Sequence, residues 1–198
     1  KLIFREKNGH ICEASNDALS LATGEYVALL DHDDILADNA LYWVARELQK
    51  KPQANLIYSD EDKVNDYGMR ACPHFKPAFN IDLLLSYNFI SHLGVYRREI
   101  LKQIGGFRVG FEGSQDHDLA LRTVLESSPD QIIHIPRVLY HWRAHSESTA
   151  SNPDSKDYTT ESGHKAGQHF LDEQHRRGGV KATARIKARN RFTCQWHT

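Results

Sequence analysis

The stretch EYVALLDHDD, residues 25–34, decides the fold, because a short apolar run leads directly into a cluster of carboxylates. A continuous apolar run of this length is typical of a strand that is buried on both faces of a parallel sheet. We therefore expect a strand at 25–30. Ligands of open α/β sheets bind at the carboxyl ends of the strands, so the sequence predicts a functional edge at 31–34.

Segments with helical periodicity flank this strand. Residues 8–21 place apolar side chains on one helical face, and Asp38 can cap a second helix that ends at Lys51-Pro52. A further strand is expected at 56–59, so strands and helices alternate along the chain. That order is typical of an α/β sheet with right-handed crossovers.

The remaining segments extend this pattern to the end of the chain. Residues 59–77 are polar and contain Gly and Pro, so we expect a long loop there. Further helices and strands are predicted at 81–87, 93–96, 99–104, 115–125, 132–135, 138–142 and 160–177, followed by an extended stretch at 180–196. We therefore divide the chain into a catalytic portion at 1–150 and a C-terminal helix with an extended tail at 151–198, which can connect to a further domain.

Composition excludes several classes of function. The 198 residues are 40% hydrophobic and 26% charged, and the net charge is −1. This balance gives no electrostatic reason to expect a nucleic-acid partner. The three cysteines lie far apart, which argues against a disulfide framework and a cysteine zinc site and favours a reducing cytoplasm. The basic stretch 176–191 leaves two interpretations open, a solvated surface or peripheral contact with anionic lipid at the inner membrane.

The acidic cluster after the first strand is a candidate metal site. Carboxylate oxygens suit hard divalent cations such as Mg²⁺ or Mn²⁺, and such a cation can stabilise charge on a leaving diphosphate. Charged side chains without a partner cost free energy when they directly follow a buried strand, so we interpret Asp31 and Asp33 as site residues. Asp34 can instead cap the next helix, and Asp38 fits that structural role better.

A second acidic segment, residues 111–119, begins a predicted helix. A carboxylate there is stabilised by the helix dipole and by backbone N–H groups, so Asp116 can stay ionised and accept a proton from a substrate hydroxyl. A plain N-cap is the alternative for Asp116. Asp118 fits a structural role, because Arg122 lies four residues further on and can pair with it. Glu112 can line the pocket or hold the loop.

A third polar cluster follows the strand at 138–142. Alternation along a strand places His141, Arg143 and His145 on one face. His141 can bind a metal or a diphosphate, and Arg143 can bind phosphate oxygens. Purely structural roles for these side chains remain the alternative.

Taken together in this order, the three clusters resemble the family 2 glycosyltransferases of the GT-A fold, in particular bacterial members that build surface polysaccharides. The likeness covers about residues 5–150. The segments that carry it are Asn16 to Leu36 with Asp31-His32-Asp33-Asp34, Ser59-Asp60-Glu61-Asp62-Lys63, Phe75-Lys76-Pro77, Gly105-Gly106-Phe107, Glu112-Gly113-Ser114-Gln115-Asp116, and Tyr140-His141-Trp142-Arg143 with His145, Ser148 and Thr149.

The resemblance implies a GT-A-like (Rossmann-like) mixed α/β sheet flanked by helices, and a role for each site residue. Asp31, with His141 and Arg143, is expected to contact the donor diphosphate region, and Asp33 with His141 to bind Mg²⁺ or Mn²⁺. Asp116 is expected to be the general base of an inverting transfer. The acceptor pocket is expected to contain Glu112, Gln115 and His145. Family members often have Glu where this chain has Gln115, which leaves the role of that position open.

The family pattern also implies what the chain acts on. The expected donor is a nucleotide-diphosphate sugar, and the expected acceptor is a glycan or a lipid-linked glycan. The family begins with βα units that hold the nucleotide base, so we interpret the chain as a fragment truncated at its N-terminus, with self-association through exposed sheet edges as a consequence. Two other functions stay open, a metal-dependent phosphodiester or phosphoryl-transfer hydrolase and a non-catalytic carbohydrate-binding module.

Overall fold

In the computed structural model, which describes residues 1–143, 157–188 and 191–196, only Tyr26–Ala28 of the expected strand at 25–30 is a strand, and it lies at one edge of a six-stranded sheet. This strand is only partly buried and runs antiparallel to its neighbour, so the expectation of a strand buried on both faces of a parallel sheet is wrong. The helices are α1 (His10–Leu21), α2 (Ala40–Lys50), α3 (Ile81–Ser86), α4 (Arg98–Gln103), α5 (Gln115–Leu125) and α6 (Asp157–Arg176), with a 3-10 turn at Pro129–Gln131. The strands are β1 (Tyr26–Ala28), β2 (Ile35–Leu36), β3 (Leu56–Val64), β4 (Arg70–His74), β5 (Gly94–Arg97), β6 (Ile132–Arg143), β7 (Ala182–Ala188) and β8 (Arg191–Trp196).

The main sheet is mixed, which confirms the predicted fold class. Its strand order is β1-β5-β3-β6-β2, and β4 pairs with β3. Strands β3 and β6 are parallel, whereas β5 is antiparallel to both β1 and β3, so β1, β3 and β6 share one direction. The ends of these strands therefore lie along one edge of the sheet, where polar residues follow β1.

Two apolar clusters cover the faces of the sheet. On one face, Leu56 and Tyr58 of β3 pack with buried residues of α1, α3, α4 and α5. On the other face, Ile57 of β3 packs against Ala40 and Val44 of α2. The alternation of side chains along β3 explains why neighbouring residues belong to opposite clusters. The result is a sheet with helices on both faces.

The described part of 151–198 contributes to the first of these clusters. Ala166 and Phe170 of α6 are buried there, together with Ala182 and Ala184 of β7, which pairs with β8 in an antiparallel hairpin. The extended tail predicted from the sequence is thus a hairpin in the structure. The boundary at residue 150 remains a prediction.

Residues 59–74 belong to a β-hairpin, so the prediction of a long loop at 59–77 is wrong. Strand β3 continues to Val64, and β4 returns along it with Glu61 opposite His74. The segment looked like a loop because it is polar, but Asp60, Glu61 and Asp62 are buried and paired with cationic or imidazole groups. Inward-facing polarity of this kind cannot be told from solvent-facing polarity in a sequence.

Two smaller expectations also differ from the structure. Asp38 does not cap α2, because the residue before that helix is Asn39 and no side-chain cap hydrogen bond is made. The strands predicted at 132–135 and 138–142 form a single strand, β6. Its pairing with β3 shifts register between Ile135 and Val138, which accommodates Pro136 without a backbone N–H in the ladder.

Strand β1 is an edge within the described residues, since β5 is its only partner there. The predicted truncation and self-association therefore stay predictions. Among the described residues, no helix combines the length and apolarity that crossing a bilayer requires. Cys12 is buried and Cys72 is exposed, and both thiols are free.

Candidate active site

The acidic loop, defined here as residues 31–34, is held in place by the end of β6. The Tyr140 hydroxyl donates a hydrogen bond to Asp34 Oδ2 at 2.5 Å and accepts one from the Asp31 backbone N–H at 3.3 Å. The Arg143 backbone N–H donates to Asp34 Oδ1 at 2.8 Å, and Arg143 Nε donates to the Asp33 carbonyl at 2.7 Å. Four hydrogen bonds to Tyr140 and Arg143 thus connect the loop to β6.

Three side chains at this loop form a cluster that suits a divalent cation. One ligand atom each from Asp31, Asp34 and His92 lie within 4.8 Å of one another. Two carboxylates and an imidazole fit a metal such as Mn²⁺, which accepts oxygen and nitrogen ligands. Burial raises the pKa of Asp31, and so do the charges of Asp34, Asp116 and Asp33, whereas His92 lowers it. A bound cation would relieve this repulsion.

The His92 ring is placed by aromatic contacts. It stacks on Tyr140 with ring centroids 4.5 Å apart and an interplanar angle of 12°, and its other neighbour is Trp142 at 5.5 Å. Tyr140 therefore supports the cluster twice, because it also binds the acidic loop.

A cavity of about 300 Å³ joins the acidic loop to the second acidic segment. Asp31 and His92 line one part of it, and Gln115 and Asp116 line another. The remaining wall is largely apolar and comes from α1 and β1, with Leu101 and Phe107. Residues 31 and 116, far apart in sequence, therefore share one cavity.

Asp116 is held by two hydrogen bonds at the start of α5. Its Oδ1 accepts the backbone N–H of His117 at 2.9 Å, and its Oδ2 accepts Asn88 Nδ2 at 2.8 Å. Asn88 in turn accepts the Ser91 N–H at 3.3 Å, one residue before His92. The carboxylate is thus oriented at the cavity wall, and its support is connected to the segment that carries His92.

The residues around Asp116 have separate tasks. Glu112 accepts the Gly110 N–H at 2.9 and 3.1 Å and holds the preceding loop. Gln115 lines the cavity and accepts the Gly113 N–H at 2.7 Å. Asp118 is buried and pairs with Arg122 Nε at 2.8 Å, which confirms the predicted structural pair.

Three other predicted site residues, Asp33, His141 and Arg143, lie in or beside the acidic loop but are not members of the group formed by Asp31, Asp34 and His92. Asp33 is half-buried and lies 3.7 Å from His32 Nδ1. His141 is buried, and its Nδ1 lies 2.6 Å from Asp62 Oδ1, so a metal or diphosphate would have to use Nε2. Arg143 braces the loop as described above. His145 lies outside the described residues.

Behind the cluster lies a group of buried charges that the sequence analysis did not assign to the site. The side chain of Lys76 is 0% exposed and lies 3.3 Å from Glu61 Oε2. Burial lowers the pKa of Lys76 to about 8, and the negative charge of Glu61 opposes that shift. The flanking carboxylates are buried too, with Asp60 at 2.8 Å from His134 and Asp62 paired with Arg70 at 2.6 Å.

Comparison with known proteins identifies the chain. A sequence model described as glycosyl transferase family 2 matches residues 1–105. The chain belongs to glycosyl transferase family 2. This family 2 chain is 46% identical over 171 residues to the uncharacterized protein y4gI of Sinorhizobium fredii, and 36% identical over 192 residues to the O-antigen biosynthesis protein RfbC of Myxococcus xanthus. The two matches cover 86% and 97% of the chain but only 19% and 15% of those proteins.

Solved structures agree with the family 2 fold. Staphylococcus aureus TarS 1-349 in complex with UDP-GlcNAc aligns with a TM-score of 0.59 at 16% identity, over 87% of this chain and 55% of that one. The mannosyltransferase PcManGT from Pyrobaculum calidifontis, in complex with GDP-Man and Mn²⁺, aligns with a TM-score of 0.52 at 18% identity, over 91% and 59%. The two alignments confirm the predicted architecture, a mixed α/β sheet flanked by helices.

Proposed function

We propose that the chain carries the catalytic centre of a metal-dependent, inverting glycosyltransferase that moves a sugar from a nucleoside-diphosphate donor to a hydroxyl of a glycan or lipid-linked glycan. The observation that carries this proposal is the cavity shared by Asp31, His92 and Asp116. Such a transfer needs a cation site for the diphosphate and a base for the acceptor hydroxyl. The candidate cation ligands Asp31 and His92 line one part of the cavity wall, and the oriented carboxylate of Asp116 lines another. Family membership favours this reaction over a phosphodiester hydrolase.

The relatives support the choice of donor, metal and process. TarS was solved with UDP-GlcNAc and PcManGT with GDP-Man and Mn²⁺, so a nucleotide sugar and Mn²⁺ or Mg²⁺ are the ligands proposed for this chain. RfbC is named for O-antigen biosynthesis, which supports a role in bacterial surface polysaccharide synthesis. The cytoplasmic location and the peripheral contact with the inner membrane remain predictions from the sequence.

The proposed division of roles follows the geometry. Asp31, Asp34 and His92 would hold the cation, with Asp33 beside them as a further carboxylate. When bound, the cation would neutralise charge on the departing diphosphate. His141 and Arg143 are proposed to bind diphosphate oxygens from the β6 side of the acidic loop. Glu112, Gln115 and His145 are proposed for the acceptor side.

Asp116 is proposed to remove the proton of the acceptor hydroxyl. As the acceptor oxygen bonds to the anomeric carbon, the bond between that carbon and the diphosphate oxygen breaks on the opposite face, and the proton passes to the Asp116 carboxylate. Attack opposite the leaving group inverts the anomeric centre. The hydrogen bonds from Asn88 and from the His117 N–H hold the carboxylate in one orientation for this step.

The test is a donor screen with and without Mn²⁺ that measures released nucleoside diphosphate, followed by the Asp116→Asn variant. General base catalysis typically contributes about 10²–10⁴-fold, so this variant should lose about that much in kcat while keeping its donor affinity. Asp82→Asn is the matched control, because Asp82 also lies in the first turn of a helix but is exposed and away from the cavity. Turnover near that of the wild type in Asp116→Asn would exclude the base role. Glycan binding without turnover on any donor would favour the non-catalytic module.

A further inference from the structure

The backbone of His92 forms hydrogen bonds with both members of a buried ion pair, Glu61 and Lys76. Glu61 Oε2 accepts the His92 N–H at 2.9 Å. Lys76 Nζ donates to the carbonyl of Ile90 at 2.7 Å and to the carbonyl of His92 itself. The Glu61 carboxylate therefore binds the backbone N–H of His92, and the Lys76 ammonium binds the backbone carbonyl of the same residue.

The Lys76–Glu61 pair is buried, and a third side chain, His74, orients the Glu61 carboxylate. The Lys76 side chain is 0% exposed, and the Glu61 side chain is 9% exposed. Glu61 Oε1 lies 3.2 Å from His74 Nδ1, which fixes the carboxylate on its far side. A buried ion pair is often no more stabilising than apolar residues of similar volume, so stability alone gives little reason for this arrangement.

His92 is also the residue whose ring belongs to the candidate cation site formed with Asp31 and Asp34. The ring of His92 is fixed on one side by Tyr140, and its backbone is fixed on the other side by Glu61 and Lys76. Groups that orient a metal-binding imidazole from outside the ligand set commonly change metal affinity when they are altered. The fit of His92 with Asp31 and Asp34 depends on both supports.

We propose that the Lys76–Glu61 pair is a positioning device that holds His92 as a nitrogen ligand of the cation site, and so sets the affinity of that site for Mn²⁺. The inference rests on the proposed function, because the cation site is part of it. It adds two positioning residues, Glu61 and Lys76, to the cation site, and the acidic motif of the sequence contains neither of them.

The experiment measures Mn²⁺ binding to the purified full chain by the electron paramagnetic resonance signal of free Mn²⁺, with no donor or acceptor present. Lys76→Met removes the ammonium and keeps much of the side-chain volume, and it should weaken Mn²⁺ binding by about 10- to 100-fold. His92→Phe keeps a ring against Tyr140 but removes the nitrogen, and it should weaken binding at least as much. Circular dichroism establishes that each variant is folded.

A double-mutant cycle separates positioning from general loosening. If Lys76 acts through His92, Lys76→Met in the His92→Phe background should cause no further loss of Mn²⁺ affinity. Equal losses in both backgrounds would overturn the inference, and so would a Lys76→Met chain that binds Mn²⁺ like the wild type. The same conclusion would follow if the wild-type chain does not bind Mn²⁺.

Asp60→Asn is the matched control. Asp60 is as buried as Glu61 on the same strand, but its carboxylate binds His134 and the Lys76 backbone N–H, not the segment that carries His92. This variant should keep its Mn²⁺ affinity, and a loss as large as that of Lys76→Met would refute the specific role of the pair.

If Lys76→Met does not fold, Glu61→Gln replaces it. That variant keeps an acceptor for the His92 N–H but loses the charge, and its smaller loss should likewise vanish in the His92→Phe background.

The outcomes for the inference and for the proposed function are distinct. A chain that binds Mn²⁺ through His92 but transfers no sugar would contradict the proposed function and leave the positioning role intact. A chain that transfers sugar with Mn²⁺, with an affinity that neither His92→Phe nor Lys76→Met changes, would contradict the positioning role alone.

Discussion

Asn88 is the side chain that most directly controls the orientation of Asp116. Its amide donates to Asp116 Oδ2, while the other carboxylate oxygen is fixed by the helix backbone. Without that amide, the carboxylate keeps its helix contact but can rotate about it. A base that must meet one hydroxyl of an acceptor depends on such an orientation.

We therefore predict that Asn88→Ala lowers kcat by up to about 10²-fold, with the KM for the donor nearly unchanged. Steady-state kinetics of nucleoside diphosphate release measure both quantities. Asn80→Ala is the control, because Asn80 accepts the Leu83 N–H as the cap of α3 and should cost about 1 kcal/mol of stability without lowering kcat. A wild-type kcat in Asn88→Ala would show that the helix contact alone orients Asp116.

His117, next to the proposed base, should make the protein sensitive to acid. Its buried Nε2 lies 2.7 Å from the Leu84 carbonyl, which requires an N–H at that nitrogen. Burial lowers the pKa of His117 below its ordinary value of 6.5, although the Leu84 carbonyl and the charges of Asp116 and Asp118 oppose the shift. Below pH 6.5 the unfolded chain takes up a proton that the folded chain resists, so stability is lost as pH falls through that value.

Replacing His117 should accordingly flatten the acid limb of the stability curve. His117→Gln keeps an N–H donor and removes the titration, which contributes at most about 1.4 kcal/mol per pH unit. Urea unfolding at pH 7 and pH 5 gives the free energies to compare. His169, whose pKa is also lowered, by burial and then by Arg108, keeps a residual slope in the variant. An unchanged slope would contradict this assignment, and exposed His175→Gln supplies the reference.

At the scale of single residues, the sequence indicated those roles that depend on local spacing. Asp118 and Arg122 are one helical turn apart, and the structure pairs them as predicted. Asp31 and Asp116 follow recognisable motifs and do share a cavity. His92 belongs to no motif, because it reaches the acidic loop only through the pairing of β5 with β1 and β3. No spacing rule reveals such a contact.

At the scale of elements, α5 depends on a buried charge cluster at its first turn. Asp118 binds Arg122, and it also binds Arg108, whose Nε lies 3.1 Å from Asp118 Oδ2. Arg122 further donates to the carbonyls of Ile104 and Gly106, so the cluster ties the helix to the turn before it. The second arginine could not be foreseen, because it approaches Asp118 from outside the helix.

Asp118→Ala should therefore destabilise the fold by about 3–5 kcal/mol, since it leaves the buried guanidinium of Arg122 without its carboxylate. Denaturant unfolding at neutral pH measures the loss. Glu47→Ala, which breaks the solvent-exposed pair with Lys50 in α2, should cost no more than about 1 kcal/mol. Equal losses in the two variants would mean that burial of the Asp118 pair is irrelevant to its strength.

The hairpin of β3 and β4 shows where pattern reading fails at this scale. Asp60, Glu61 and Asp62 would point alternately to the two faces of a strand, and a sequence gives no sign that both faces supply partners. The helices were predicted closely because apolar periodicity and the residues that end a helix are both local signals in the sequence. Predicting the hairpin would have required the positions of the groups that bind these three carboxylates, which come from residues 70–76, 92, 134 and 141.

At the scale of the whole molecule, the described C-terminal part shares a core with the sheet. Phe170 of α6 is buried in the same cluster as Leu119 of α5. A change at this position should therefore affect unfolding of the entire chain. The sequence predicted the helix but not its place, because its apolar face could pack on any partner.

We predict that Phe170→Ala costs about 3–5 kcal/mol and lowers the midpoint of one cooperative transition. Tryptophan fluorescence and circular dichroism during urea unfolding should report the same shift. Phe75→Ala removes the same group from a position that is 71% exposed and should have little effect. Two separate transitions, with only one of them shifted, would instead indicate that the C-terminal part unfolds independently.

The buried carboxylates of β3 also determine where this fold can accept new sequence. The tip of the hairpin satisfies its own hydrogen bonds, since Asn65 Oδ1 accepts the N–H groups of Tyr67 and Met69, and Tyr67 is 88% exposed. A one-residue slip of β4 would instead move His74 away from Glu61. Extra residues, such as a peptide epitope or a fluorophore attachment site, therefore belong at the tip between Asn65 and Met69, where they would leave the cavity unchanged.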